Sequence, residues 1–349
     1  MQRRGFLLAT LAAAACGRRD SSALARAVRW LWSQQSDDGG WHSKTYGLLR
    51  SGQSLTPFVL DALLSASSPL VLNQLVSGPR QASAVDRGFD FLKRNTNSDG
   101  SLGLSDSAGP DYPNYATGLA VRVAARLKRD ASPWIACLRA QQFTEVNGWA
   151  PSDPAYGAWG MGGERRRPPE AGHVDLAMTR YVLEGLAAAG IPPADPVMQK
   201  ALVYVKRCQN PDGGFFFSTV NLDTNKAGDV SGKYRSYGTT TCDGLLAMRA
   251  AGVPESDTRI ARAQAWLKQN HLEERAPGFD IEPARMGWSD GLRFYYAAAI
   301  TRAMPDLSVI LPPQRDDGSF ANRNNLVKED DPLIATAFAV RVLCQDRGG

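Results

Sequence analysis

The sequence is sparing with the residues that most site chemistries require. Five Cys and three His occur in 349 residues, and no two Cys form a Cys-x-x-Cys pair. Beyond Cys16, the wide spacing of Cys137, Cys208, Cys242 and Cys344 suggests neither a disulfide framework nor a zinc ribbon, so small buried apolar roles are expected. Long apolar runs are also missing. The longest, Phe6 to Cys16, ends at Gly17-Arg18-Arg19-Asp20, short of the roughly 20 residues that a membrane-spanning helix needs. Charge of one sign is scarce as well: 40 Lys and Arg against 35 Asp and Glu give +5, too little for a nucleic-acid partner. Gly-x-Gly-x-x-Gly, P-loop, His-Glu-x-x-His and Gly-x-Ser-x-Gly patterns do not occur, which removes support for nucleotide, zinc-protease and serine-hydrolase chemistry. Strand signals are sparse, and Asn147-Gly148 is not flanked by alternating β-branched residues.

A 43% hydrophobic composition is enough for a large core. At the N-terminus, Arg3-Arg4-Gly5-Phe6-Leu7 precedes a short apolar stretch and small residues, the three parts of an export signal, and resembles a twin-arginine leader. Residues 1–15 are therefore expected to be an export signal, 16–22 a tether, and 23–349 a single domain. Ala13-Ala14-Ala15-Cys16 would also suit lipoprotein cleavage, making a lipidated Cys16 a membrane anchor. The expected location is the periplasm or cell envelope.

The chain then repeats one pattern: an amphipathic stretch, a polar turn with Gly, and an aromatic or Leu. The turns end at Trp41, Leu102, Trp149, Phe215, Phe279 and Phe320. Asp and Asn supply acceptors for a tight turn and Gly accepts positive φ, so each turn stops the helix before it. The preceding stretch has helical period: Val197, Ala201, Tyr204, Val205 and Cys208 form one stripe. A second helix, poor in charge, follows each turn, near 55–65, 115–127, 175–189, 239–251, 290–304 and 331–344. These read as an inner layer. Six such hairpins bury a continuous core only by stacking, and closure removes their exposed ends. The expected fold is all-α, an (α/α)6 toroid of twelve helices in two concentric layers.

Gln34-Gln35 with Trp41, Gln141-Gln142 with Trp149, Gln209 with Phe215, and the stretch Ser236 to Met248 resemble the repeat shared by squalene cyclases and protein prenyltransferase β-subunits. The resemblance spans nearly all of residues 23–349 and implies a toroid whose inner helices surround an apolar cavity. In squalene-hopene-type cyclases an Asp-x-Asp-Asp motif carries the acid that protonates an alkene. Here Lys328-Glu329-Asp330-Asp331 matches it at Asp330 and Asp331 with Lys328 in first place, and His173-Val174-Asp175-Leu176 keeps the middle Asp alone. Asp330, Asp331 and Asp175 are thus the candidate catalytic residues. A Lys neighbour favours ionised Asp330, and carboxylates ahead of Pro332 equally suit a helix cap. The zinc set of the prenyltransferases has no counterpart, since Cys242 and Asp243 are adjacent and no His follows His271. No cofactor and no metal are expected.

Mouth-facing loops supply Trp41, His42, Tyr46, Trp159, His173, Tyr237, Trp288 and Tyr295 as candidate ligand-lining residues. Arg165-Arg166-Arg167 suits either an anionic ligand or a solvated loop. The expected partner is a hydrophobic or amphipathic, isoprenoid-like small molecule in the central cavity, with acid-catalysed cyclisation or isomerisation as the activity. A non-catalytic envelope binding or scaffold protein and a carbohydrate-active (α/α)6 enzyme are the alternatives.

Overall fold

The computed structural model describes residues 23–66, 79–103 and 112–345. The expected export signal and tether, including Cys16, lie outside these residues. Helices dominate: α1 (23–33), α2 (Leu55–Ser65), α3 (Pro79–Arg94), α4 (Pro113–Leu127), α5 (Ser132–Gln141), α6 (Leu176–Ala188), α7 (Pro196–Arg207), α8 (Gly238–Ala250), α9 (Thr258–Asn270), α10 (Met286–Gly291), α11 (Arg293–Ala303) and α12 (Pro332–Gln345). The strands are a two-residue antiparallel pair, β1 (Asp229–Val230) and β2 (Lys233–Tyr234).

Inner helices α2, α4, α6, α8, α11 and α12 pack each on the next, and α12 returns to α2. The ring is closed, giving the (α/α)6 toroid. Its outer layer is α1, α3, α5, α7 and α9. The sixth outer position departs from the expected twelve-helix pattern: 305–331 carries no helix, and α10 completes the twelve instead. Pro305 and Pro312-Pro313 bracket a stretch too short to repay helix nucleation, and each ring breaks the pattern around it.

The repeated glutamines explain the stacking. Gln35 Nε2 donates to the carbonyls of Gly39 in its own turn and Ala84 in the next outer helix, both at 2.9 Å. Gln142 reaches Gly157 and Val197, and Gln209 reaches Gly213 and Arg259, in the same way. Each turn is thereby fastened both to itself and to the following unit. The inner helices take part through threonine: the backbone N–H groups of Trp41, Leu102, Phe215 and Phe320 donate to Thr56, Thr117, Thr241 and Thr336.

The third turn is displaced from its expected place. Trp159, not Trp149, occupies the aromatic position: its Nε1 donates to Leu138 O at 2.7 Å, as that of Trp41 does to Leu31 O. The Gly of this turn is Gly157, where a Cβ would lie 1.9 Å from Lys200 O, so the next outer helix seats directly on its backbone. Asn147-Gly148-Trp149 sits in an inserted segment, where the Trp149 ring packs 5.0 Å from Phe143. Cys137, Cys208 and Cys242 are free thiols buried in the core.

Candidate functional site: an aromatic chamber above a buried charge network

The N-terminal ends of the inner helices converge on a cavity of about 260 Å³. The N-cap residues of five inner helices, Ser54, Tyr112, Asp175, Tyr237 and Leu292, stand in its wall. Phe58, Tyr112, Tyr115, Phe217, Tyr237, Tyr295 and Phe338 contribute seven aromatic rings, and Leu49, Leu55, Met178, Val327 and Ile334 add aliphatic surface. Polar groups are few and specific: Asp175, Asp243 and Glu329 on one side of the charge balance, Lys226 and Lys328 on the other.

Asp175 caps α6, its Oδ1 accepting from Met178 N at 2.7 Å, while its Oδ2 lies 2.8 Å from His173 Nε2. His173 itself keeps 37% of its side chain exposed. The pair thus connects the chamber wall to solvent through one hydrogen bond. Asp243, in the first half of α8, accepts from Tyr295 Oη at 2.8 Å and Arg180 Nε at 3.1 Å. Burial pushes its carboxyl up to about 6 despite those donors. Arg180 cannot fully compensate, because it also pairs with Glu184 at 3.1 Å. Glu329 is completely buried and accepts from the backbone N–H groups of Phe294 and Tyr295 at the start of α11. Burial nonetheless raises it to about 7.

Deeper along the inner helices, five arginines meet three carboxylates. Asp61 is bound by Arg122, Arg126 and Arg341, and Glu184 by Arg122, Arg180 and Arg302, with N···O distances of 2.7–3.2 Å. Burial alone would raise Glu184, but the three arginines outweigh it and hold its carboxyl well below the usual range. The same contest lowers Asp61. This network escaped the sequence reading, although lone charges inside Ala- and Leu-rich helices were its visible trace.

Of the sequence-derived candidates, the structure brings Asp175, Tyr237 and Tyr295 into the chamber wall. Trp41 and Trp159 are fully buried in repeat turns, and His42 is held by Asp38 and Arg50 O. His173 stands behind Asp175, and Trp288 packs on the Lys226 ammonium at 5.6 Å. Asp330 lies outside the wall, accepting from Tyr46 Oη at 2.5 Å. Asp331 accepts from Ser43 Oγ and from Leu333 N, the latter at 2.9 Å, and so caps α12. Arg165, Arg166 and Arg167 are exposed. Asp243, Lys226, Lys328 and Glu329 are wall residues that the motif search did not single out as site groups. Among the described residues no three His, Cys, Asp or Glu side chains cluster as a metal site.

Comparison with known proteins agrees with the toroid fold. The structure matches a protein from Actinoplanes at a TM-score of 0.53, with 17% identity over 93% of this chain and 99% of that one. The type II terpene cyclase MstE from Scytonema matches at 0.54, with 14% identity over 94% and 98% of the two chains; it has also been solved in complex with geranylgeranyl dihydroxybenzoate as substrate. A D-mannose isomerase matches at 0.56 with 10% identity over 94% and 97%. These likenesses concern the fold, which hosts more than one chemistry. A search of the curated proteins returns no match. Residues 5–119 and 172–276 match the squalene-hopene cyclase C-terminal domain, and the chain belongs to that family.

Proposed function

We propose that this is an exported toroid protein whose chamber takes an apolar, isoprenoid-like ligand and rearranges it by acid catalysis, with Asp175 as the acid. The observation that carries this reading is the enclosure: seven aromatic rings around a carboxyl group that is coupled through His173 to solvent. Aromatic faces attract a developing cation, and an apolar wall excludes the water that would quench it. Asp175 gives its proton to an alkene carbon, and the resulting cation loses a proton from a neighbouring carbon, back to the Asp175 carboxylate or through His173 to solvent, so the acid is regenerated and the product keeps the substrate's composition. His173 and Leu176 stand in place of the flanking carboxylates of the family motif. The family membership and the prenylated substrate of the Scytonema cyclase support an isoprenoid chain. Most of the lining surface is apolar, which favours a hydrocarbon chain over a sugar. Asp330 and Asp331 are left to Tyr46 and to the capping of α12.

Binding without turnover is the second reading. It is favoured by the N-cap bond from Met178, which stabilises Asp175 in its ionised form. Incubation of the full chain with farnesol, followed by gas chromatography and mass spectrometry, separates the two. A cyclised or isomerised product that falls at least ~100-fold in Asp175→Asn supports acid catalysis. Product formation indifferent to that substitution overturns it, and a bound but unaltered alcohol assigns the protein to binding.

Export rests on Arg3-Arg4 and the small residues ending at Ala15, with the cell envelope as destination and a lipidated Cys16 as a possible anchor. Among the described residues no helix is long and apolar enough to cross a membrane. Mass analysis of the mature N-terminus after cell fractionation tests this: an intact Met1 in the cytoplasm would refute it.

A further inference from the structure

Two ammonium groups, Lys226 and Lys328, line the chamber, and among the described residues neither forms an ion pair with the carboxylates of its wall. Each wall carboxylate is already engaged, Asp175 by His173 and Met178 N, Asp243 by Arg180 and Tyr295, Glu329 by two backbone N–H groups. Lys226 has no ion pair or hydrogen bond among the described residues; its ammonium rests 3.8 Å from the Phe217 ring centroid and 5.6 Å from that of Trp288. Lys328, held at a positive φ of 64°, donates to Tyr112 Oη at 3.2 Å and otherwise faces the rings of Tyr46 and Tyr112. Burial lowers the Lys226 pKa, although the charges of Asp175 and Asp243 act to raise it. The arginine-rich network below adds no spare negative charge.

We propose that the chamber's ligand is amphipathic, an apolar chain ending in an anionic head, a carboxylate or phosphate ester, that Lys226 and Lys328 receive at the mouth. Three features converge on the head. Two ammonium groups line one small cavity, the N-cap residues of five inner helices stand beside them with their positive dipole ends, and the remaining wall suits only an apolar chain. This deepens the proposed function and rests on it. An anionic head also removes a difficulty of that chemistry, since two ammonium groups without an ion pair would raise the energy of any cation formed beside them.

Calorimetric titration of the full chain with farnesol, farnesyl phosphate and inorganic phosphate tests the assignment. Farnesyl phosphate is expected to bind at least tenfold more tightly than farnesol, and inorganic phosphate far more weakly than either. In Lys226→Met and in Lys328→Gln the ratio of the two isoprenoid affinities should fall towards one, and thermal melting of both variants shows that they are folded. Equal affinities for farnesol and farnesyl phosphate in the wild type overturn the anionic head while leaving the apolar chamber standing. A ratio untouched by both substitutions overturns the role of the lysines. Binding of neither isoprenoid defeats this inference and the proposed function together, and tight binding of inorganic phosphate alone replaces the amphipath by a simple anion.

Discussion

Gln314 donates through Nε2 to the backbone carbonyl of Ala23 at 2.9 Å and to that of Gly318 at 2.8 Å, so the last repeat turn holds the first helix of the toroid. This is the bond that Gln35, Gln142 and Gln209 make to their own successors, used once more to close the ring. At Gly318 a Cβ would stand 2.8 Å from Arg26 O, which keeps that junction as tight as the others. Closure converts a stack with two frayed ends into one with none.

Gln314→Ala removes both bonds and leaves two carbonyls short of a partner. A loss of about 1–3 kcal/mol in urea unfolding is expected. An unchanged midpoint would mean that the ring is held shut by apolar contact alone.

Glu184 sits among Arg122, Arg180 and Arg302, and Glu184→Gln leaves three buried guanidinium groups undercompensated. The expected cost is about 3–5 kcal/mol. Arg126 also pairs with Asp61 but keeps 36% of its side chain exposed, and Arg126→Met should cost less than about 1 kcal/mol. Chemical denaturation of the two variants tests the contrast, and equal losses would contradict it.

Burial raises Glu329 to about 7, above the ~4.3 of an unfolded glutamate. The folded protein therefore keeps a proton that the unfolded chain gives up. The stability this adds is full below pH ~4.5 and is lost as the pH climbs to about 7, a change on the order of 3 kcal/mol. Asp243, raised to about 6, acts in the same direction between pH ~4 and 6. Glu329→Gln should thus narrow its stability deficit relative to the wild type as the pH rises from 4.5 to 7.5. A gap independent of pH would show that Glu329 does not titrate in this window.

The turns were legible because they are local: Asp, Asn and Gly specify a turn within a few residues, and four of the six, at Trp41, Leu102, Phe215 and Phe320, fell where the threonine contacts place them. Trp149 misled because Asn147-Gly148 imitates a repeat turn at short range, whereas the true partner of Gln142 lies fifteen residues on, at Gly157. Only the seating of Lys200 against Gly157 distinguishes the two, and that is a tertiary contact. The chamber was legible in part. Asp175 stood out as the middle Asp of a partial motif match, although His173 and Leu176 replace the flanking carboxylates, but Asp243 and Lys226 reach the wall from the middle of a helix and from a long loop, positions without a local signature. Charges on single helices read as a solvated face; the ring turns Asp61, Arg122, Arg180, Glu184 and Arg341 inward, where each needs the others.

The proposed chamber is tested most directly by calorimetric titration of farnesol into the wild type and into Ala177→Trp, which places an indole in the cavity from the first turn of α6. One-to-one binding by the wild type, lost in the variant while thermal melting shows it folded, is the predicted result. Absence of binding in the wild type, or binding that the added indole does not disturb, would contradict the account.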